Sequence, residues 1–183
     1  MVASTLTVKV RWSEADPAGI VFYPRFFEWF DLGTEALFES VGMPWRELFP
    51  AERIVGVPIV ETGARFASPV RYGDEVRIQT IVSEVREKTF RVEHEVSVGG
   101  RRCATGFEVR AWVAQPESPG GALAARPIPA RVAARLKGEP RSMKPKIVFE
   151  TNVRKPGECG GHFWAPAYEE PEELDGCPRR PRP

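Results

Sequence analysis

One carboxylate stands in a stiff turn of this sequence. Asp16 lies in the stretch E-A-D-P-A-G-I-V-F-Y-P-R-F-F, residues 14–27. The proline and glycine after it predict a tight turn, and a helix is expected to begin at Tyr23 or Pro24, because proline suits the first helical turn. Unpaired N–H groups at a helix start can stabilise an oxyanion, and a nearby carboxylate can attack a carbonyl or activate water. The pattern is suited to acyl-group hydrolysis.

Two alternatives to this catalytic interpretation remain open at the level of residues. One is that Asp16 is only a turn former or helix cap, and because Asp-Pro turns are common, the residues alone favour that interpretation. A Ser or Cys nucleophile is the other alternative, but there is no Gly-x-Ser-x-Gly motif. His94 and Cys103 both fall within predicted strands. We expect His94 to be a core or interface residue and Cys103 to be buried and inert.

A metal site is not expected. Cys159, His162 and Cys177 are the only metal-ligand types of interest near the end of the sequence. A Cys-x-x-His pair can begin a zinc site, but a fourth ligand at a suitable spacing is absent. We therefore predict neither a metal nor another cofactor.

The elements that position Asp16 follow from hydrophobic periodicity. Leu6, Val8, Val10 and Trp12 alternate with polar residues, which predicts a strand. After the turn, apolar residues recur every three or four positions, which predicts a helix of about four to five turns ending near Gly42. A loop containing Pro50 is expected to follow.

Four further strands are predicted after this loop. They are expected over Val57–Phe66, around residues 75–82 and 90–96, and over Cys103–Val113. No second helix separates them, so we predict a meander and an antiparallel sheet. The fold class is then α+β, a five-stranded antiparallel sheet wrapped around one long helix.

The predicted domain organisation follows from the point at which the hydrophobic periodicity ends. We expect the folded domain over residues 1–114, a linker with a short C-terminal helix over residues 115–138, and a Pro-rich flexible tail over residues 139–183.

Composition excludes several classes of protein. The 183 residues carry a net charge of +1, too small a basic excess for a nucleic-acid binder. No apolar run reaches the ~20 residues of a membrane span, and the N-terminal stretch lacks the apolar block of a signal peptide. Three scattered cysteines do not form a disulfide framework. These features predict a cytoplasmic protein without nucleic-acid or membrane partners.

Three motifs carry a resemblance to a known family. Residues 16–31 read D-P-A-G-I-V-F-Y-P-R-F-F-E-W-F-D, residues 56–60 read G-V-P-I-V, and residues 86–90 read R-E-K-T-F. This order of motifs resembles the 4-hydroxybenzoyl-CoA thioesterase family of hotdog-fold enzymes, from about Val8 to Val113. The resemblance implies the hotdog fold and hydrolysis of an aromatic acyl-CoA by a homodimer or homotetramer. The alternative is a non-hydrolytic, dehydratase-like hotdog protein that binds an acyl thioester.

The resemblance also implies roles for individual residues. Asp16 matches the catalytic carboxylate, and the backbone N–H of Tyr23 matches the group that polarises the thioester carbonyl. Asp31 matches the position that contacts the aromatic acyl group. Arg86 and Lys88 match positions near the phosphates of coenzyme A.

Two positions depart from the family pattern. Val57 stands where 4-hydroxybenzoyl members carry a threonine that helps bind the ring, so we expect weaker discrimination for a 4-hydroxyl group. Glu87 stands where the family can have a second basic residue, so we expect weaker contacts with the phosphates.

Overall fold

The computed structural model describes residues 2–116 and 121–139. The predicted tail beyond residue 139, with Cys159, His162 and Cys177, lies outside the described residues, as do residues 117–120 of the predicted linker. No described helix has both the length and the apolar character needed to cross a membrane.

Twelve elements make up the described chain. They are β1 (Ala3–Lys9), a short 3-10 helix (Trp12–Glu14), α1 (Pro24–Ser40), α2 (Trp45–Glu52), β2 (Ile54–Gly56), β3 (Ile59–Phe66), β4 (Glu75–Val85), β5 (Thr89–Val98), β6 (Arg101–Ala111), β7 (Val113–Ala114), β8 (Ala124–Ala125) and α3 (Ala130–Leu136).

Helix α1 confirms the helix predicted from the three-and-four spacing of apolar residues. Its buried face is formed by residues at that spacing, among them Phe26, Phe30 and Leu37. Pro24 occupies its first position, where the missing N–H removes no helical hydrogen bond. Beyond its C-terminal end, Gly42 has φ +69°, the left-handed conformation that glycine adopts without steric cost.

The predicted five-stranded antiparallel sheet is confirmed, but the prediction of a meander is wrong in one respect. The strand order is β1-β4-β5-β6-β3, so β3 lies at the far edge beside β6 rather than next to β4. Alternation of side chains identifies a strand without identifying its partner, which is set by the connection. Helix α1 packs against β1, β4, β5 and β6. The α+β class therefore stands as predicted.

Some predicted strand limits also change. The strand expected from Val57 begins at Ile59, and Val57 lies in the link after β2. Pro58, which has no N–H to donate to a ladder, accounts for the break. The last strand ends at Ala111 and resumes as β7, which pairs with β2 and β8 in a second, three-stranded sheet.

Helix α2 replaces the loop that was predicted around Pro50. The proline lies inside the helix, where it removes one backbone donor. Aromatic packing offsets that loss, because Trp45 and Phe49 stack one turn apart with ring centroids separated by 5.5 Å, and Trp45 also contacts Phe38 of α1. These tertiary contacts stabilise a helix where the proline alone had predicted a loop.

The core consists of two clusters under the sheet. One contains Phe26, Phe30 and Val96; the other contains Leu37, Phe90 and residues of α3. Helix α3 therefore buries Val132 and Leu136 in the same core as α1.

Candidate active site

The loop carrying Asp16 is a tight, hydrogen-bonded turn. The Asp16 N–H donates to the carbonyl of Ile20 at 2.8 Å, and the Gly19 N–H donates to the carbonyl of Asp16 at 2.9 Å. Gly19 has φ +73°, which a residue with a Cβ adopts only with strain. The loop thus brings Asp16 back towards the start of α1.

The Asp16 carboxylate is half-buried and only partly engaged. Its Oδ1 accepts a hydrogen bond from the Ala18 N–H at 2.8 Å. This is the contact expected of a turn former, so that part of the alternative interpretation has a structural basis. No described residue donates a hydrogen bond to the second oxygen, Oδ2. The carboxylate is thus oriented by one oxygen and free to act with the other.

Tyr23 supplies a backbone donor at the start of α1. The next two donors of the helix are used, since the Arg25 N–H donates to Phe22 at 3.0 Å and the Phe26 N–H to Tyr23 at 3.1 Å. Pro24 has no N–H. Among the described residues none accepts a hydrogen bond from the Tyr23 N–H. It is therefore available to an external oxygen, at the end of the helix where the dipole favours negative charge.

Glu14, which the sequence analysis missed, fixes the two ends of this loop. Its carboxylate accepts the Arg11 N–H at 2.6 Å, and its carbonyl accepts the Phe22 N–H at 2.9 Å. Burial alone would raise the pKa of Glu14, but the hydrogen bonds and charge of Arg11 hold that pKa below its ordinary value. In the sequence, the only signal was an acidic residue two positions before Asp16.

An apolar groove of about 390 Å³ adjoins the helix start. It is lined by residues that include Ile20, Tyr23, Phe26, Phe66 and Pro69. Phe26 and Phe66 meet edge to face, with centroids 5.0 Å apart. Such a surface fits a flat, apolar group next to the Tyr23 N–H.

Asp31 and Val57 are brought together by Arg110, another residue that the sequence analysis missed. One terminal nitrogen of Arg110, Nη2, donates to Oδ1 of Asp31. The other, Nη1, donates to the carbonyl of Val57 at 3.1 Å. The Val57 side chain is only 4% exposed and packs in the core, so its contact with this cluster is through its backbone.

A buried polar cluster lies behind Arg110. Glu108 accepts hydrogen bonds from Arg110 Nε at 3.0 Å and from Thr34 at 2.8 Å. His94 Nε2 lies 3.4 Å from Glu108, an electrostatic contact without good hydrogen-bond alignment, and its Nδ1 lies 3.0 Å from the Thr80 hydroxyl. Burial alone would raise the pKa of Glu108, but His94 and Arg110 lower it below its ordinary value.

His94 and Cys103 are both buried, as the sequence predicted. The ring of His94 is enclosed by Phe30 and Thr80 rather than open to a substrate. Burial raises the pKa of the Cys103 thiol, so it is held in the unreactive neutral form.

Arg86 and Lys88 lie together in the hairpin between β4 and β5, away from Asp16. Arg86 Nε pairs with Glu84 at 2.8 Å, which raises the pKa of Arg86, and Lys88 is exposed. The Asp16 loop is tied through Gly19 to Arg71, ahead of β4, whereas Arg86 follows β4. A strand of this length spans roughly 30 Å.

The site residues thus form three groups: Asp16 with Tyr23, Asp31 with Val57, and Arg86 with Lys88. Within each group the members lie in one loop, share one guanidinium or share one hairpin. No hydrogen bond or ion pair between described side chains joins one group to another.

Comparisons with known proteins relate this arrangement to a family. The family model described as "Thioesterase-like superfamily" matches residues 10–136. The chain is 36% identical over 94 residues to 4-hydroxybenzoyl-CoA thioesterase of Pseudomonas sp. (strain CBS-3), covering 51% of this chain and 67% of that enzyme. The solved structure of that enzyme matches with a TM-score of 0.68 and 30% identity, covering 74% of this chain and 99% of the other.

Two further proteins extend the comparison. The structure of a gentisyl-coenzyme A thioesterase matches with a TM-score of 0.63 and 34% identity, covering 70% of this chain and 98% of the other. A 1,4-dihydroxy-2-naphthoyl-CoA hydrolase of Prochlorococcus marinus (strain NATL1A) is 28% identical over 102 residues, covering 52% of this chain and 68% of that protein.

The resemblance drawn from the sequence motifs is therefore confirmed. The matched residues include the Asp16 loop, all of α1 and four of the five strands of the large sheet, β3 to β6. Since the family model covers more than half of the chain, the protein belongs to the thioesterase-like superfamily and is a thioester hydrolase with the hotdog fold.

Proposed function

We propose that this protein hydrolyses the coenzyme A thioester of an aromatic carboxylic acid, giving the free acid and coenzyme A. Two relatives are a 4-hydroxybenzoyl-CoA thioesterase and a 1,4-dihydroxy-2-naphthoyl-CoA hydrolase, whose names describe hydroxylated aromatic acyl groups. The groove beside Tyr23 supports the same class, because Phe26 and Phe66 offer aromatic edges and faces to a flat acyl group.

The observation that carries this proposal is the pairing of a free carboxylate oxygen with a free backbone donor. Asp16 Oδ2 and the Tyr23 N–H lack partners among the described residues and belong to one short loop and helix start. The Tyr23 N–H would donate to the thioester oxygen as negative charge develops there. Asp16 would supply the base or the nucleophile.

Either role of Asp16 gives a balanced reaction. As a base, Asp16 takes a proton from the attacking water; the tetrahedral intermediate then expels the coenzyme A thiolate, which recovers that proton. As a nucleophile, the carboxylate attacks the carbonyl and expels the thiolate, forming a mixed anhydride that water then hydrolyses. Both routes consume one water and release one thiol.

The other two groups of residues would bind the ends of the substrate. Arg86 and Lys88 provide positive charge for phosphates, although Glu84 already neutralises part of it at Arg86. Asp31 would contact a polar substituent of the acyl group, and Val57 would act through the carbonyl that binds the same Arg110 guanidinium.

A homodimer is the assembly that best accounts for these separated groups. Among the described strands, β3 lies at the sheet edge and pairs with β6 alone, and it leaves Val60 59% and Phe66 51% exposed. An edge with exposed apolar side chains favours pairing with a second copy. Pairing would also bring groups from two chains to one substrate, which a single chain holds far apart.

The test is release of free thiol from benzoyl-CoA and 4-hydroxybenzoyl-CoA, followed with a thiol-reactive dye. Asp16→Asn keeps shape and polarity but removes the charge, so kcat should fall about 10³-fold or more, with a much smaller change in substrate affinity. Asp74→Asn is a matched control, because the Asp74 carboxylate also accepts one backbone N–H in a turn, from Arg71 at 2.8 Å.

Three results would contradict the proposal. Near-normal kcat in the Asp16→Asn protein would remove Asp16 from the chemistry. Equal losses in the Asp16→Asn and Asp74→Asn proteins would mean that Asp16 acts only as a turn former. A wild-type protein that binds both thioesters without releasing thiol would instead fit the non-hydrolytic alternative.

A further inference from the structure

Arg110 stands where three separate parts of the chain meet. Its guanidinium contacts the Asp31 carboxylate on α1, the Val57 carbonyl after β2, and Glu108 on its own strand. The Arg110 side chain is 4% exposed, whereas that of Asp31 is 54% exposed. The guanidinium therefore reaches from the core to a carboxylate at the surface.

The charges of this cluster explain the direction in which Arg110 points. Glu108 is fully buried and neutralises Arg110 from the interior. Thr34 donates to the same Glu108 oxygen, Oε2, and His94 Nε2 lies 3.4 Å from it, so these core residues fix the position of Glu108 independently of Asp31. With Nε bound to Glu108, the two terminal nitrogens of the planar guanidinium bind the buried Val57 carbonyl and the surface carboxylate of Asp31.

The hydrogen bond from Arg110 mainly orients the Asp31 carboxylate and is not needed to neutralise its charge. Arg110 already has a carboxylate partner in the core, and an exposed carboxylate is well solvated without a salt bridge. The hydrogen bond from Nη2 holds Oδ1 in one place. No described residue donates to Oδ2 of Asp31, so one oriented acceptor remains open at the surface.

We propose that Arg110 is a positioning residue that fixes Asp31 as an oriented hydrogen-bond acceptor for a hydroxyl group on the aromatic acyl moiety. This inference rests on the proposed function. A site with a fixed acceptor selects acyl groups that carry a donor there, because otherwise the acceptor loses its hydration without gaining a partner. It also disfavours acyl groups with a carboxylate at that position, through repulsion between like charges.

The central variant is Arg110→Lys, which retains the positive charge but cannot replace three directed N–H contacts with one ammonium group. The quantity measured is the preference for 4-hydroxybenzoyl-CoA over benzoyl-CoA, as a ratio of kcat/KM values. We expect this ratio to fall about tenfold, as for loss of one hydrogen bond to a charged group.

Arg91→Lys is a matched control on the outer face of the same sheet. Arg91 also pairs with a glutamate two positions away, Glu93, at 2.6 Å, and lies over an aromatic ring, that of Phe107, at 3.7 Å. Its exchange should leave the ratio unchanged. Equal changes in the two lysine variants would overturn the proposal.

A double-mutant cycle separates positioning from general stabilisation. Asp31→Ala should lower the ratio of kcat/KM values as far as Arg110→Lys does. In the double variant the ratio should differ from that of Asp31→Ala by less than twofold, because both substitutions act through one contact. Additive effects, or an Arg110→Lys protein with an unchanged ratio, would overturn the proposal. If the Arg110→Lys protein does not fold, Glu108→Gln replaces the residue that holds Arg110 with a neutral side chain of the same shape. An unchanged ratio in that variant would also overturn the proposal.

A binding measurement distinguishes this inference from the proposed function. Calorimetry with the Asp16→Asn protein gives Kd for both thioesters without turnover. A wild-type protein that releases no thiol would refute the proposed hydrolysis, while tighter binding of 4-hydroxybenzoyl-CoA that is lost on Arg110→Lys would still support the positioning role. Equal Kd values for the two thioesters before any change at Arg110 would overturn that role.

Discussion

The rings of Phe30 and His94 are stacked, with centroids 4.6 Å apart and planes inclined by 11°. This contact joins α1 to β5 at the centre of the sheet. It requires space on the neighbouring strand, and Gly106 of β6 provides it, because a Cβ built there would lie 2.3 Å from the Phe30 ring. The position of the Phe30 ring therefore depends on the absence of a side chain at Gly106.

Gly106→Ala is expected to destabilise the protein by about 2 kcal/mol, a fall in Tm of about 5–10 °C, because the Phe30 ring has no free space to enter. Gly63→Ala is the control, since its Cβ would meet only the edge of the less buried Phe107 ring, at 2.9 Å. Thermal unfolding of both proteins checks this. A larger loss at Gly63 than at Gly106 would contradict it.

Stability should fall in acid through Glu14 and Glu108. Both have pKa values lowered from the ordinary 4.5, so each binds protons less readily when folded than when unfolded. Their contribution is complete above that ordinary value and is lost as the pH falls through the lower folded values. Tm measured from pH 7 to pH 3 should be level at first and then decline below about pH 4.5.

Glu108→Gln gives the matching test of that profile. It should lower Tm at pH 7, because Arg110 loses its buried counter-charge, and the difference from the wild type should narrow in acid. Glu84→Gln is the control: its pKa is also lowered, by Arg86, but the pair is exposed and screened by solvent. A difference between wild type and Glu108→Gln that stays constant with pH would count against a charged Glu108.

Val57→Thr should raise the preference for 4-hydroxybenzoyl-CoA over benzoyl-CoA by about 1 kcal/mol, roughly fivefold, if the added hydroxyl reaches the ring. Because Val57 is buried, the same change should also lower Tm. Ratios of kcat/KM and thermal unfolding are measured together. A lower Tm with an unchanged ratio would show that position 57 acts only through the carbonyl bound by Arg110.

The proposed homodimer is tested at the β3 edge. Val60→Lys places a charge on an exposed apolar position of the edge strand, which should weaken pairing between copies. Sedimentation velocity at micromolar concentration should show a dimer or tetramer for the wild type and a smaller species for the variant. Glu61→Gln, at an already polar position of β3, controls for the same one-unit change in charge. An active wild-type monomer would refute the assembly.

The features predicted from sequence were those that depend on neighbouring residues. The turn at Asp16 and the start of α1 at Tyr23 follow from proline, glycine and apolar spacing within 20 residues. Arg110 and Asp31 are separated by 79 positions, so no local pattern connects them. The partner of β3 was mistaken for the same reason.

Strand β6 shows why the polar cluster was missed. On this strand Glu108 and Arg110 face the core, whereas Phe107 lies towards the outer face beneath Arg91. Apolar alternation would assign the opposite orientation, because it counts Phe107 and Val109 as inward residues. The exception is stable because Glu108 and Arg110 pair with each other, while Thr34 donates to Glu108 and Asp31 accepts from Arg110.

The donor at Tyr23 belongs to the peptide backbone, and this determines how the site can change during evolution. A substitution at position 23 changes the side chain but leaves the backbone N–H that makes the proposed oxyanion contact, since nineteen of the twenty amino acids carry the same N–H. Alanine scanning would report the position as tolerant, whereas proline, whose ring suits the φ of −51° found here, would remove the donor while preserving the backbone path. Half of the proposed catalytic apparatus is thus invisible to side-chain mutagenesis and to comparison of residue identities.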